Sequence, residues 1–175
     1  EPTVDPTVEP TQVPTAAPTT EPTAEPTLAP GAGDIWFNPS SQTVDEGASF
    51  FTELHVNSGD RLLAEYSFTV LFVPTIIGVD TSIGTNGVIA GPGGFVNSVD
   101  ASQNGALTVT GFDASGTGPA DDLHVFTIYW NAIAGGSSFI GLTGITMNDE
   151  NGVYIGIPNP SDGSVTVTAL TPVPT

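Results

Sequence analysis

Hydrophobic and polar residues alternate in short runs over most of the chain beyond residue 33. The longest run is at 64–73, where every second residue from Ala64 to Phe72 is apolar and most of the residues between them are polar. A period of two is typical of a β-strand with one buried face. Because Pro74 has no backbone N–H to donate, this strand is predicted to end there.

Clusters of Gly, Asn, Asp and Ser separate these runs, and no stretch shows helical periodicity. Glycine-rich breaks predict turns at 84–94, 115–119, 135–136 and 151–152. We predict strands at 34–38, 42–45, 48–57, 63–73, 76–81, 95–100, 105–112, 122–133, 138–147 and 163–169. The pattern favours an all-β fold, an antiparallel two-sheet β-sandwich of the jelly-roll type. Its core is predicted to contain Phe68, Val70, Phe72, Ile128 and Trp130.

A tetrapeptide repeat occupies residues 1–30. Pro recurs at every fourth position from Pro2 to Pro30, and Thr follows most of these prolines. Each Pro fixes its own φ and favours extended geometry in the residue before it, so residues 1–32 are predicted to form an extended polyproline-II stalk. A composition rich in Thr and Pro is typical of O-glycosylated stalks, and the predicted glycan sites are Thr3, Thr7, Thr11, Thr15, Thr19, Thr23 and Thr27. Residues 171–175 start a second Pro-Thr linker, which leaves 33–170 as the globular domain.

The chain is strongly acidic, with 19 Asp and Glu residues against a single Arg or Lys, and its net charge is -18. Such a surface repels nucleic acid and anionic membranes, so neither is predicted as a partner. No apolar run approaches the ~18 residues that a membrane span needs. The chain contains no Cys and therefore no disulfide or thiolate site.

Residue patterns typical of catalysis are not found in the sequence. His55 and His124 fall on different predicted strands, without the Cys or second-His spacing typical of a metal site, and we predict structural roles for both. Asp149, Glu150 and Asn151 are a candidate calcium site, since Ca²⁺ prefers oxygen ligands, with an ordinary turn as the alternative. We therefore predict no enzyme activity and no cofactor.

Three stretches of the globular part resemble the cohesin family, the β-sandwich receptors that hold dockerin-bearing proteins on extracellular scaffolds. The first is 64–79, an Ala-x-x-x-Phe strand that closes on an aromatic-x-Pro turn and is followed by Ile-Ile-x-Val. The second is 123–130, similar to the family's late Leu-x-x-Ile-x-Phe strand, with Trp130 at the last aromatic position. The third is 135–142, similar to the Gly-containing turn and the strand that follows it.

The resemblance implies a non-catalytic protein-binding module with a dockerin-like partner, located outside the cell or at its surface. Cohesins commonly contact dockerin through outward residues of the strand at 64–73, which implies binding roles for Glu65 and Ser67. Leu71 points outward on the same predicted face and suggests an apolar contact. Two positions depart from the family pattern: Ser67 replaces a common Asp, and Val73 replaces the usual acidic or amide residue before a Pro.

Two other functions remain open. An extended stalk on a compact domain also suits a subunit that assembles with copies of itself into a glycosylated extracellular filament, with the tail packed against neighbouring subunits. A carbohydrate-binding module is the third candidate. It requires exposed coplanar aromatic rings, for which the candidates are Trp36, Trp130, Tyr66 and Tyr129, although Tyr66 and Trp130 lie on predicted core faces.

Overall fold

The computed structural model of the protein describes residues 31–171. The predicted stalk, its threonine glycosylation sites and the C-terminal Pro-Thr residues from 172 onward lie outside this part of the chain. The described residues form strands β1 Asp34–Asn38, β2 Ser41–Asp45, β3 Ser49–Val56, β4 Leu63–Phe72, β5 Ile77–Val79, β6 Val88–Ala90, β7 Ser98–Asp100, β8 Ala106–Thr117, β9 Leu123–Ala132, β10 Gly136–Asn148, β11 Asn159–Ser161 and β12 Gly163–Thr168. No helix that could cross a bilayer occurs between residues 31 and 171.

The strands form two sheets that pack face to face. Sheet I has the order β11-β1-β3-β9-β5, and the short strand β6 also pairs with β9. Sheet II has the order β2-β12-β10-β4-β8-β7, so that β4 lies near its centre. The predicted β-sandwich of the jelly-roll type is confirmed.

Each sheet is mixed, where the sequence predicted only antiparallel pairs. β1 runs parallel to β11 at the edge of sheet I, and β2 runs parallel to β12 at the edge of sheet II. The other ladders are antiparallel. Alternation along a strand specifies its buried face but not the direction of its neighbour, which explains why the parallel pairs escaped prediction.

The core lies between the two sheets and contains every residue predicted for it. Phe68, Val70, Ile128 and Trp130 are 0% exposed and Phe72 is 8% exposed. Two groups of aromatic rings join the sheets. On one side Trp130 of sheet I meets the edge of Phe72 of sheet II at 5.1 Å between ring centroids. On the other side Phe68 of sheet II packs against Phe126 of sheet I at 6.0 Å.

Four elements differ from prediction where glycine or proline interrupts the alternation, and β5 and β7 each span three residues where 76–81 and 95–100 were predicted. β6 lies in the glycine-rich segment 84–94, which was predicted as a turn, and its three residues are too few to show a period. β11 is a fully exposed edge strand that contains Pro160, a position where the missing N–H is tolerated. β8 continues to Thr117 and β10 begins at Gly136, inside predicted turns.

Candidate functional site

The outer face of sheet II carries the side chains that were predicted from the sequence to bind a partner. Along β4, Tyr66, Phe68 and Val70 are buried, while the residues between them point outward. Glu65 is exposed and Ser67 is half-buried, as is Leu71 further along the strand. The structure therefore brings the three predicted residues onto one surface, and their role in binding stays a prediction.

Strands β8 and β10 extend this surface on either side of β4. Ser67 lies between Thr110 and Thr146, and the next outward row places Thr69 between Thr108 and Thr143. A hydrogen bond of 3.0 Å joins Thr69 Oγ1 to Thr108 Oγ1. We call these six residues the hydroxyl band: Ser67, Thr69, Thr108, Thr110, Thr143 and Thr146. Because most of its members are β-branched, the band presents hydroxyl and methyl groups with little rotational freedom.

The two ends of the hydroxyl band differ from its centre. At one end Glu65 lies between Phe112 and Asn148, and Asn148 Nδ2 donates to Glu65 Oε2 at 2.9 Å. Phe112 is 60% exposed there, although it pairs within the sheet. At the opposite end Leu71 lies between Ala106 and Gly141. The surface thus has a polar, uncharged centre with apolar groups beyond both ends.

A shallow depression of about 320 Å³ opens beside Glu65 and Phe112. Asn97 stands at its wall, where its Oδ1 accepts the backbone N–H of Phe112 at 2.6 Å. Tyr66 forms part of the lining, and its phenol donates to the Phe95 carbonyl. Burial raises the pKa of Tyr66, so the phenol stays protonated at physiological pH. The depression offers room for one protruding side chain of a partner.

The ladder between β4 and β10 contains a bulge that bends this surface. The register shifts between Thr143 and Thr146, and Gly144 in the bulge has a φ of 57°. A side chain is strained in that conformation, which accounts for glycine. Bulges re-aim side chains and increase the local twist, so the outward groups of β10 turn relative to those of β4. The alternation of residues could not reveal this feature, since it depends on the pairing.

The four aromatic residues that were considered for sugar binding are not all exposed. Tyr66 and Trp130 are buried, Trp36 stacks on a histidine ring at 5.7 Å, and Tyr129 packs against Phe51 at 6.2 Å. Of the four aromatic residues considered for sugar binding, two are therefore closed to solvent. Trp36 and Tyr129 are partly exposed, and carbohydrate binding stays a prediction.

Asp149 of the candidate calcium turn is buried and bonded to groups of the protein itself. Its Oδ1 accepts the backbone N–H of Val153 at 2.8 Å and of Asn151 at 2.9 Å, and its Oδ2 accepts from the guanidinium of Arg61. The hydrogen bond from Val153, helped by those from Asn151 and Arg61, outweighs the effect of burial and lowers the pKa of Asp149. The carboxylate thus organises the turn, and calcium binding stays a prediction.

We expect Asp149→Asn to destabilise the domain by an amount that depends on pH. A carboxyl whose pKa is lowered by folding contributes stability above its unfolded pKa, which is about 3.9, and loses it as the pH falls through the folded value. Urea denaturation of both proteins should give a constant difference above about pH 5 that shrinks below about pH 4. Glu150→Gln controls for the loss of one charge from the same turn. A difference independent of pH would contradict the role given to the Asp149 charge.

Several cohesin modules are among the solved structures to which this chain is similar. The sixth cohesin of Acetivibrio cellulolyticus scaffoldin B, solved with a dockerin, superposes with a TM-score of 0.60 at 17% identity, over 79% of this chain and 99% of that one. A type I cohesin of Clostridium thermocellum, also solved with a dockerin, gives 0.63 at 12% identity, over 78% and 94%. A non-cellulosomal cohesin of the archaeon Archaeoglobus fulgidus gives 0.61 at 14% identity, over 78% and 89%.

The chain has the cohesin fold. No protein-family model matches the sequence, and no curated protein matches it. The likeness therefore rests on the three-dimensional arrangement and on the short stretches noted above. Within this cohesin fold, the resembling strand at 64–73 is β4, at the centre of the surface that carries the hydroxyl band.

Proposed function

We propose that residues 33–170 are a non-catalytic cohesin-like module that binds a dockerin-like protein through the outer face of sheet II. The observation that carries this proposal is the low charge of the face within a very acidic chain. Strand β10 has no charged residue, β4 has only Glu65 and β8 has only Asp113. Depletion of charge is typical of the centre of a protein interface.

Exposed aromatic groups supply the anchors for such a partner. Phe112 is 60% exposed at one end of the face and Phe139 of β10 is 50% exposed toward the other. Aromatic side chains that insert into a partner contribute a large share of binding energy at most interfaces. The surrounding hydroxyl groups offer donors and acceptors without the desolvation cost of a buried charge. Two of the solved cohesin neighbours were captured with dockerins, which agrees with this class of partner.

The departures from the cohesin pattern suggest which forces act at the interface. Ser67 and Val73 are uncharged at positions where cohesins commonly carry acidic or amide groups. We therefore propose that hydrogen bonds and apolar contacts, rather than ion pairs, hold the partner. Affinity should then change little between low and moderate salt, because screening acts on charged contacts.

In this proposal the Pro-Thr stalk of residues 1–32 displays the module outside the cell or at its surface. Glycans on the seven predicted threonines would keep the stalk extended and protect it from proteolysis. The acidic composition suits that role, because like charges along an extended chain repel one another.

Thr110→Arg is the substitution that tests the face. It places a long charged side chain in the hydroxyl band, and we expect it to weaken dockerin binding by about tenfold or more. Binding of a panel of recombinant type I dockerins to the full chain is measured by calorimetry, for the wild type and the variant. Thr166→Arg is the matched control, since Thr166 is exposed on β12 of the same sheet but away from the band. Equal losses in both variants would contradict the assignment of the face.

Self-assembly into a filament is the alternative function, and it can be tested with the same full-length protein. The segment before β11 exposes apolar groups at Tyr154, 68% exposed, and Ile157, 86% exposed, next to an edge strand. Such a patch beside an open edge suits contact with another copy. Fibres of the full chain in electron micrographs, absent after deletion of residues 1–30, together with no dockerin binding, would overturn the receptor proposal in favour of assembly.

A further inference from the structure

On the outer face of sheet I, three aromatic side chains form a row across three strands. Trp36 of β1 pairs with His55 of β3, which pairs with His124 of β9. The Trp36 and His55 rings stack at 5.7 Å between centroids, and the two imidazoles stack at 4.9 Å with 11° between their planes. The sequence placed the histidines on different strands, correctly, but could not show that these strands are neighbours.

The hydrogen bonds of His55 leave one contact that a neutral ring cannot satisfy. Its Nδ1 lies 2.5 Å from Asp122 Oδ1, and its Nε2 lies 3.3 Å from Glu53 Oε2. A neutral imidazole has a single N–H, so only one of the two carboxylates can accept a hydrogen bond from it. With the proton on Nδ1, a lone pair on Nε2 faces a carboxylate oxygen. That arrangement calls for a cation between the two atoms.

The third member of the group is His124. One ligand atom from each of Glu53, His55 and His124 can be chosen so that all three lie within 4.8 Å of one another. Ligands of a tetrahedral Zn²⁺ ion lie about 3.3 Å apart, given bonds of 2.0–2.1 Å. The pair formed by His55 and Glu53 already has this separation. Because the stacked imidazoles do not aim their nitrogens at one point, His124 must also rotate about its side-chain torsions to complete the triangle. This rotation breaks the 3.0 Å hydrogen bond between His124 Nε2 and Thr127 Oγ1.

The surroundings hold these side chains in the way that metal ligands are usually held. Asp122 accepts from the remote nitrogen of His55, which fixes the tautomer, and Asn38 Nδ2 donates to Glu53 Oε2 at 2.8 Å. Carboxylate and amide partners of this kind orient ligands and raise their basicity. Gly91 lies against the His124 ring, since a Cβ at that position would come within 2.7 Å of Cδ2. The glycine thus allows the segment after β6 to cover one side of the group.

We propose that Glu53, His55 and His124 bind a divalent transition-metal ion of the Zn²⁺ class. Two imidazoles and one carboxylate suit Zn²⁺ and its neighbours, whereas Ca²⁺ and Mg²⁺ prefer oxygen ligands alone. The ion joins β3 to β9, two central strands of sheet I, and its fourth position is open to water or to a carboxylate of a partner. Asp122 and Asn38 are positioning residues for the ligands. The site is on the opposite sheet from the proposed dockerin-binding face and does not depend on that proposal.

Calorimetric titration of the full chain with Zn²⁺ at neutral pH tests the site. We expect one ion per chain, with affinity lowered about tenfold or more in Glu53→Gln, His55→Gln and His124→Gln. Glu65→Gln is the matched control, because it removes the same charge from the opposite sheet and should leave the affinity unchanged. An excess of Ca²⁺ should not displace Zn²⁺. Since the chain has only two histidines, NMR should show both sets of ring resonances shifting with one equivalent of metal.

Three results would overturn the proposal. One is the absence of Zn²⁺ binding to the full chain at neutral pH. Another is an equal loss in Glu65→Gln and Glu53→Gln, which would indicate attraction by the overall negative charge. The third is displacement of Zn²⁺ by Ca²⁺. If His55→Gln fails to fold, Glu53→Gln and His124→Gln still test the site. Both of these residues are only partly buried, so their replacement should leave the domain folded.

Discussion

Replacing Phe68 with alanine is expected to lower the free energy of unfolding by about 3–5 kcal/mol. Phe68 is 0% exposed at the centre of β4, and its ring lies 5.2 Å from Tyr66 and 6.0 Å from Phe126 of the opposite sheet. Truncation removes one of the aromatic contacts between the sheets and leaves a cavity in the core. Urea denaturation followed by circular dichroism measures the change.

Phe112→Ala is the matched control for Phe68→Ala. The two residues lie on adjacent strands of sheet II but point to opposite faces, and Phe112 is 60% exposed. Phe112→Ala is expected to lower the free energy of unfolding by well under half the loss caused by Phe68→Ala. It should also weaken dockerin binding if Phe112 is an anchor for the partner. If Phe112→Ala destabilised the domain as strongly as Phe68→Ala, the two faces of sheet II would be assigned the wrong way round.

Replacing Trp130 with alanine is also expected to lower the free energy of unfolding by about 3–5 kcal/mol. The side chain is 0% exposed, packs between the rings of Phe50 and Phe72, and donates from Nε1 to Thr52 Oγ1 at 2.9 Å. The alanine variant loses this packing and also leaves the buried hydroxyl of Thr52 without its donor. Trp130→Phe keeps one aromatic ring but removes the N–H and part of the indole, so we expect a smaller loss than for alanine, of which the unpaired hydroxyl of Thr52 accounts for about 1–3 kcal/mol.

Trp36→Ala provides the comparison for Trp130→Ala, since these are the two tryptophans of the chain. Trp36 lies on the outer face of sheet I and is partly exposed, so its removal should cost much less. Tryptophan fluorescence reports the remaining ring in each variant. A larger loss of stability from Trp36→Ala than from Trp130→Ala would contradict the placement of the core between the sheets.

The buried face of each long strand could be predicted from the sequence because burial imposes a period of two on the residues themselves. That is why the core positions on β4 and β9 were correct, and why Glu65, Ser67 and Leu71 were correctly grouped on the outer surface. Strand order and register are not encoded in that way. The threonines of β8 and β10 that complete the hydroxyl band could therefore be identified only from the strand pairing in the structure.

The histidine group shows the same limit more sharply. A bulge between Leu54 and His55 shifts the register of β3 against β9, and it is this shift that places His55 opposite His124. Asp122 lies in a loop, 67 residues from His55 in sequence. No spacing rule for metal ligands covers residues brought together in this way, so the sequence alone gave no reason to connect them.

The parallel edge ladders have a mechanical consequence. β2 near the start of the domain runs alongside β12 at its end in the same direction, and hydrogen bonds from Glu46 N–H to the Thr168 carbonyl and from Ser164 N–H to the Ser40 carbonyl, each 2.9 Å, extend the ladder at both ends. Tension applied at the start of β2 and at the end of β12 would slide these two strands past each other. All the bonds of the ladder then share the load, instead of opening one after another. A module loaded in this way would accordingly unfold slowly under force, and its unfolding rate would determine how long it withstands the tension.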